Sequence, residues 1–169
     1  MTPDLYRIPT DTSGRLAISA RPRGGDWLSD EVAGWQRAGV TVVVSLLEAD
    51  EERDLGLTDE ATECAAHGLH FVPVPVPDRG VPTDRIAFAE AVITVADELD
   101  NGERVGVHCR QGIGRSGLFA VAVLKALGVS TDIAIGAASA ARGRPVPETP
   151  EQTEWLRRFA PPTPAPGLP

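Results

Sequence analysis

The stretch Leu118–Leu127 is apolar around its whole circumference, with Lys125 its single charge. A helix without a polar face has to be covered on every side, so it belongs at the centre of a layered fold. Immediately before it come a short strand pattern, Arg104-Val-Gly-Val-His108, and a turn carrying Gly112, Gly114 and Gly117. A buried strand, a glycine turn and a buried helix in that order call for an α/β architecture. With 169 residues, 42% of them hydrophobic, the chain can cover one such core and has little material for a second.

The rest of the sequence alternates in the same manner. Strand patterns occur at Leu16–Ser19, Thr41–Leu46 and His70–Val74, the middle one β-branched and apolar as a two-sidedly buried strand should be. Helices are predicted from caps at Ser29 (stopping at Gly39), Thr58 (ending near Gly68), Thr83 (ending at Gly102) and Ser130 or Thr131 (ending near Gly143). In the Thr83 helix, Phe88, Val92, Val95, Ala96 and Leu99 share one face. Thr149-Pro-Glu-Gln152 combines a capping box with proline at the first helical position and opens a last helix. Alternation of this kind predicts one α/β domain over residues 1–160, a largely parallel twisted sheet flanked by helices. The proline-rich end, residues 161–169, is expected to trail as a disordered tail. Ligands in such sheets sit beyond the carboxyl ends of strands, which singles out the loop after His108.

That loop reads Cys109-Arg-Gln-Gly-Ile-Gly-Arg-Ser-Gly117. Its backbone N–H groups can turn inward, and the helix N-terminus behind it adds about half a positive charge, so an anion is favoured. Arg115 adds a planar fork suited to two phosphate oxygens. Cys109 sits at the base of the same positive cup, which favours its thiolate. Ser116 can donate a hydrogen bond to the sulfur. Phosphate is then expected to rest on Arg110, Gln111, Gly112, Ile113, Gly114 and Arg115, with phosphorus facing Cys109. Gly112-x-Gly114-x-x-Gly117 also matches a dinucleotide fingerprint. That fingerprint needs a second strand ending in an acid about 20 residues on, whereas the chain reads as helix beyond Gly128, with Asp132 at a helix start. A Walker loop fails for want of its lysine. The plainest alternative is a core cysteine beside a glycine turn and an incidental arginine.

His108-Cys109-x5-Arg115-Ser116 resembles the HCx5R(S/T) signature of the cysteine-dependent protein tyrosine and dual-specificity phosphatase superfamily. Pro75-x-x-Asp78-x-Gly80-x-Pro82 and Leu46-Leu-Glu-x-x-Glu51 look like the cyclin-dependent-kinase-associated phosphatases and their bacterial relatives, loosely from Leu16 to Phe159. The resemblance implies hydrolysis of phosphate monoesters on proteins through a phosphocysteine intermediate, on phosphotyrosine and on phosphoserine or phosphothreonine. It implies no metal or other cofactor, with Cys109 as nucleophile and Arg115 and Ser116 beside it. Asp78, 31 residues before Cys109, takes the place of the general acid. Gln111 stands where many relatives have alanine. Tyr6 is the only tyrosine, which points to the dual-specificity branch. Arg110 is the feature that favours a phosphoinositide or other small phosphate ester instead. A non-catalytic phosphoprotein-binding protein is the rival from outside the enzymes, and intact Cys109, Arg115 and Asp78 speak against it.

The supporting residues carry two readings each. His108 fixes the loop and keeps Cys109 ionised, or simply ends a strand with its polar atoms satisfied. Gln152 caps its helix, or orients the hydrolytic water as a glutamine does in some relatives. Glu51 reads as a solvated charge within Glu48–Asp54, or as support for the arginine. Cys64 reads as core, or as a redox partner for Cys109.

A net charge of −8 argues against broad affinity for nucleic acid and anionic membranes, and the resemblance implies a phosphorylated protein as partner. The three histidines, His67, His70 and His108, form no metal-ligand spacing with nearby acids. Neither a membrane-length apolar run nor the basic-then-apolar order of a signal peptide occurs, and a cytoplasmic protein is expected.

Overall fold

The computed structural model describes residues 2–162. Its elements run β1 (Leu5–Ile8), β2 (Arg15–Ser19), α1 (Leu28–Arg37), β3 (Val42–Ser45), α2 (Ala49–Asp54), α3 (Glu60–Ala66), β4 (His70–Pro73), α4 (Arg85–Asp100), β5 (Arg104–His108), α5 (Gly114–Ala126), α6 (Thr131–Arg142) and α7 (Pro150–Arg158). The sheet order is β1-β2-β5-β3-β4. Only β1 is antiparallel to its neighbour; the other three pairings are parallel. The expected largely parallel sheet is what the chain forms. Residues 163–169, most of the expected tail, lie outside the described residues.

Side-chain alternation along β3 splits the interior into two layers. Val42 and Val44 face one cluster with Leu16, Ile18, Val105, Val107 and the apolar faces of α4, α5 and α7. Val43 faces the other, with Val32, Trp35, Leu57 and Cys64 from the α1 and α3 side. Helix α5 is buried from Gly114 to Leu124, as its apolar circumference demands. The five residues predicted on one face of α4 are all buried. Phe88 meets Phe119 edge to face at 5.5 Å between centroids. Truncating either ring to alanine is worth about 3–5 kcal/mol of stability.

Several boundaries differ from the sequence reading. A 3-10 turn at Gly25–Trp27 leads directly into α1, so Ser29 lies inside the first turn and caps nothing. Helix α3 starts one residue later than a Thr58 cap requires, with Asp59 at the N-cap position. Helix α4 is capped by Asp84, whose carboxylate accepts the Ala87 N–H at 3.0 Å, and not by Thr83. Asp84 and Thr83 are both competent caps, and the docking of the helix decides between them. Strand β1 and helix α2 were not anticipated: four residues give too little periodicity, and α2 is a run of acids.

Helix α5 begins at Gly114, so residues 114–117 are its first turn and only Cys109–Ile113 is loop. Gly112 has φ +71°, and a Cβ there would stand 3.3 Å from the Ser19 carbonyl oxygen. A Cβ on Gly117 would come within 2.8 Å of Val146 Cβ, so glycine lets the start of α5 lie close against the α6–α7 connection.

Candidate active site

The loop after β5 opens into a cavity of about 150 Å³ lined by Asp78, Arg79, Cys109, Arg110, Gln111, Gly114, Arg115 and Glu148. It lies beyond the carboxyl end of the central strand, where the α/β rule puts it. Cys109 is 3% exposed, and its Sγ accepts the Gly112 N–H at 3.2 Å. The Ser116 hydroxyl is buried and has no hydrogen-bond partner among the described residues. The expected Ser116–Cys109 bond is therefore absent; the sulfur is met by the loop backbone instead, because the left-handed turn at Gly112 aims that N–H inward.

Arg115 is 2% exposed and ties three connections together. Nη1 donates to Glu51 Oε1 at 2.6 Å, to the Val76 carbonyl at 2.9 Å and to the Leu46 carbonyl at 3.4 Å. Nη2 donates to Glu51 Oε2 at 2.9 Å and to Asp78 Oδ1 at 3.2 Å. Burial works against the guanidinium's charge, but the Glu51 bond and the fields of Cys109, Glu51 and Asp78 outweigh it and hold its pKa above the ordinary value. Glu51 is thus a buried partner of Arg115, not a solvated charge. Helix α2 turns it inward: its Oε1 also accepts the Glu48 N–H at 3.2 Å and so secures the start of the helix.

Asp78 is brought to the cavity by the loop after β4, with its side chain 57% exposed. Arg79, next to it, has φ +58°, an uncommon backbone state for a residue other than glycine. Gln152 does close the capping box, its Oε1 accepting the Glu148 and Thr149 N–H groups at 3.0 and 3.2 Å. Its Nε2 donates to the Gly80 carbonyl at 3.0 Å, clipping the Asp78 loop to the head of α7. Arg110 lies 3.9 Å from Glu51 Oε2 and is partly exposed at the cavity mouth, as is Gln111.

Two residues that sequence reasoning passed over also hold the loop. Arg142 Nε donates to the Gly112 carbonyl at 2.9 Å while its guanidinium lies 4.2 Å over the Tyr6 ring. Glu60 Oε1 stands 2.6 Å from His108 Nε2, both side chains fully enclosed. Neither carried a signal in the sequence, because each is an ordinary charged residue on an amphipathic helix. Cys64 lies in the layer on the far side of the sheet from Cys109, and burial together with Glu60 and Glu63 pushes its thiol up to about 12. Among the described residues no cluster of His, Cys, Asp and Glu could hold a metal ion, and no helix is long and apolar enough to cross a membrane.

This sheet, with an anion cup between β5 and the central helix, is the fold of the protein tyrosine and dual-specificity phosphatases. A solved structure of kinase associated phosphatase (KAP) shares it at a TM-score of 0.83 and 19% identity, covering 94% of each chain. Tk-PTP in its active form gives 0.72 at 28% identity over 91% of this chain and 98% of that one. PTPMT1 gives 0.70 at 24% over 89% and 91%. The family model described as "Tc-R-P: Polymorphic toxin system, DSP-PTPase phosphatase" matches residues 19–128, more than half of the chain, and the chain belongs to that family. "Putative tyrosine phosphatase 197R" of Invertebrate iridescent virus 6 is 27% identical over 122 residues, 70% of this chain and 44% of that protein. "Putative tyrosine phosphatase 067L" of Invertebrate iridescent virus 3 is 34% identical over 53% of this chain and 35% of its own length. The chain thus spans less than half the length of these curated relatives.

Proposed function

We propose that this phosphatase hydrolyses phosphate monoesters on proteins through a phosphocysteine intermediate. The observation that carries the reading is the loop itself: Cys109 Sγ faces the Gly112 N–H at 3.2 Å in the same cavity as a buried, fully braced Arg115. A phosphate seated on the loop N–H groups and the Arg115 fork puts phosphorus in line with the sulfur. Cys109 attacks, the P–O bond to the leaving group breaks, and Asp78 supplies the proton to the departing oxygen. Asp78, now a base, takes a proton from the water that displaces the cysteine. The loop N–H groups and Arg115 meet the charge on the equatorial oxygens in both steps. Ser116, with its hydroxyl unengaged, can turn toward the sulfur as it leaves.

In this scheme Gln152 acts on the Asp78 loop through Gly80 and not on water, since its amide oxygen is already used by two backbone N–H groups. The protein carries out the reaction without a metal ion, in a cytoplasmic setting.

The test is release of nitrophenol from an aryl phosphate by wild type and Cys109→Ser. Wild type should turn over in the presence of chelator and be inhibited by vanadate. Cys109→Ser should be inactive and still bind vanadate, because the cup and Arg115 remain. Turnover retained by the variant removes the mechanism; a wild type that binds phosphopeptide without turnover makes it a binding protein.

A second substrate reading rests on the arginines at the cavity mouth, Arg79 and Arg110. PTPMT1 has been solved in complex with PI(5)P. Against a polyanionic headgroup stand Glu148, 3.6 Å from Arg79, and Glu51, 3.9 Å from Arg110. Parallel assays on phosphotyrosyl peptide, phosphoseryl peptide and PI(5)P decide, and higher kcat/KM on the peptides is expected.

A further inference from the structure

Behind the loop, on the face of the sheet away from α5, lies a buried carboxylate that the scheme above does not use. Glu60 projects from α3 into the layer of Trp35, Leu57 and Cys64 and is 1% exposed. Its Oε1 is 2.6 Å from His108 Nε2, while its Oε2 is buried with no hydrogen-bond partner among the described residues. The His108 ring is stacked on Trp35, with centroids 5.7 Å apart and planes at 27°. Trp35 is itself held by its Nε1 donating to Ser19 Oγ at 3.2 Å. The other ring nitrogen, His108 Nδ1, faces the Cys109 carbonyl oxygen at 3.4 Å.

Both partners of the ring are acceptors. A carbonyl has no hydrogen to give, and an ionised carboxylate has none either. With Glu60 ionised, satisfying the two contacts together needs a hydrogen on each ring nitrogen. A neutral imidazole has only one, so beside an ionised Glu60 one of the two contacts would set lone pair against lone pair. An isolated carboxylate with one bare oxygen is costly in an apolar layer, and a short bond to a charged ring is the arrangement that offsets the cost.

We propose that Glu60 is a positioning residue for Cys109, holding His108 doubly protonated with Nδ1–H on the Cys109 carbonyl so that positive charge stands behind the nucleophile. The proposal rests on the reading of Cys109 as the nucleophile. Other ionisable groups face the pair. Glu52 on α2 interacts with both members; burial first, then Glu60, raises its carboxyl, and His108 opposes them. Cys64, also on α3, is raised by burial and by Glu60, which leaves it a thiol and no competitor for the ring's proton.

The experiment compares wild type, Glu60→Gln and Glu60→Leu. Alkylation of Cys109 by iodoacetamide at pH 6 should fall roughly tenfold in both variants and converge with wild type at pH 9. The ascending limb of kcat/KM against pH should move upward with it, while vanadate affinity at pH 9 stays the same. A Glu60 that only fills space would leave alkylation and the pH limb unmoved, and that result overturns the proposal while leaving Cys109 as nucleophile. If the variants do not fold, ¹⁵N shifts of the His108 ring in wild type at pH 7 decide alone. Hydrogens on both nitrogens are expected; a single one overturns the proposal. Failure of the underlying reading would look different, because Cys109→Ser would then keep its hydrolytic rate.

Discussion

Glu51 grips Arg115 with both carboxylate oxygens, at 2.6 and 2.9 Å, across 64 residues of sequence. Burial by itself would raise the Glu51 carboxyl, but the Arg115 bond, the Glu48 backbone bond and the charges of Arg115 and Arg110 hold it below its ordinary 4.5. The folded chain therefore binds this proton more weakly than the unfolded chain does. The contribution to stability is present above about pH 4.5 and is lost as pH falls through the lower folded value. Glu51→Ala should cost about 3 kcal/mol at pH 7, the scale for leaving one member of a buried pair alone. Urea unfolding at pH 7 and pH 3 should show that difference shrinking in acid. The same variant should lose vanadate affinity, because the guanidinium is no longer aimed.

Asp78 accepts from the same guanidinium at 3.2 Å, so an arriving phosphate has to share or replace that contact. A general acid matters most where the leaving group holds its proton tightly. Asp78→Ala should slow phosphoserine by roughly 100-fold or more and an aryl ester of an acidic phenol far less. It should also abolish the descending limb of the pH–rate profile. Asn substitutions at Asp84, Asp97 and Asp100 should leave the leaving-group dependence unchanged; Asp84 is already used as the α4 cap. A uniform loss across esters in Asp78→Ala would reduce that residue to shaping its loop.

Arg142 holds the Gly112 carbonyl from the last turn of α6, and the Gly112 N–H in turn faces Cys109. A charged donor to a carbonyl is worth about 1.5–3 kcal/mol. Arg142→Ala should lower kcat/KM by about tenfold and weaken vanadate binding, by letting the loop relax. Kinetics equal to wild type would mean that Gly112 keeps its turn unaided.

Cys64 and Cys109 are on opposite sides of the sheet, and the Cys64 thiol is pushed up to about 12. Peroxide attacks thiolates, so oxidation should fall on Cys109 alone. Cys64→Ala should match wild type in its rate of inactivation by peroxide and in its recovery with thiols. Slower recovery in the variant would restore Cys64 as a resolving partner.

What the sequence determined by itself is whatever neighbours along the chain can enforce. The all-round apolar run ending at Leu127 required a central helix, and α5 is that helix, covered by the sheet on one side and by α4, α6 and α7 around it. The one-faced pattern from Phe88 to Leu99 set the buried side of α4. The turn at Gly112 and the cup it forms depend on a few consecutive backbone angles, so Cys109 and Arg115 were legible as a unit. Asp78 was legible only through spacing shared with relatives. Tertiary structure alone decided the partners. Whether Glu51 meets water or Arg115, whether Glu60 reaches His108, and whether Arg142 finds Gly112 depend on helices whose contacts lie 30 to 64 residues away in sequence. A charged side chain on a helix looks the same in sequence whichever way the helix is docked. Which charges are buried is settled only when the parallel sheet brings the ends of β3, β4 and β5 to one edge.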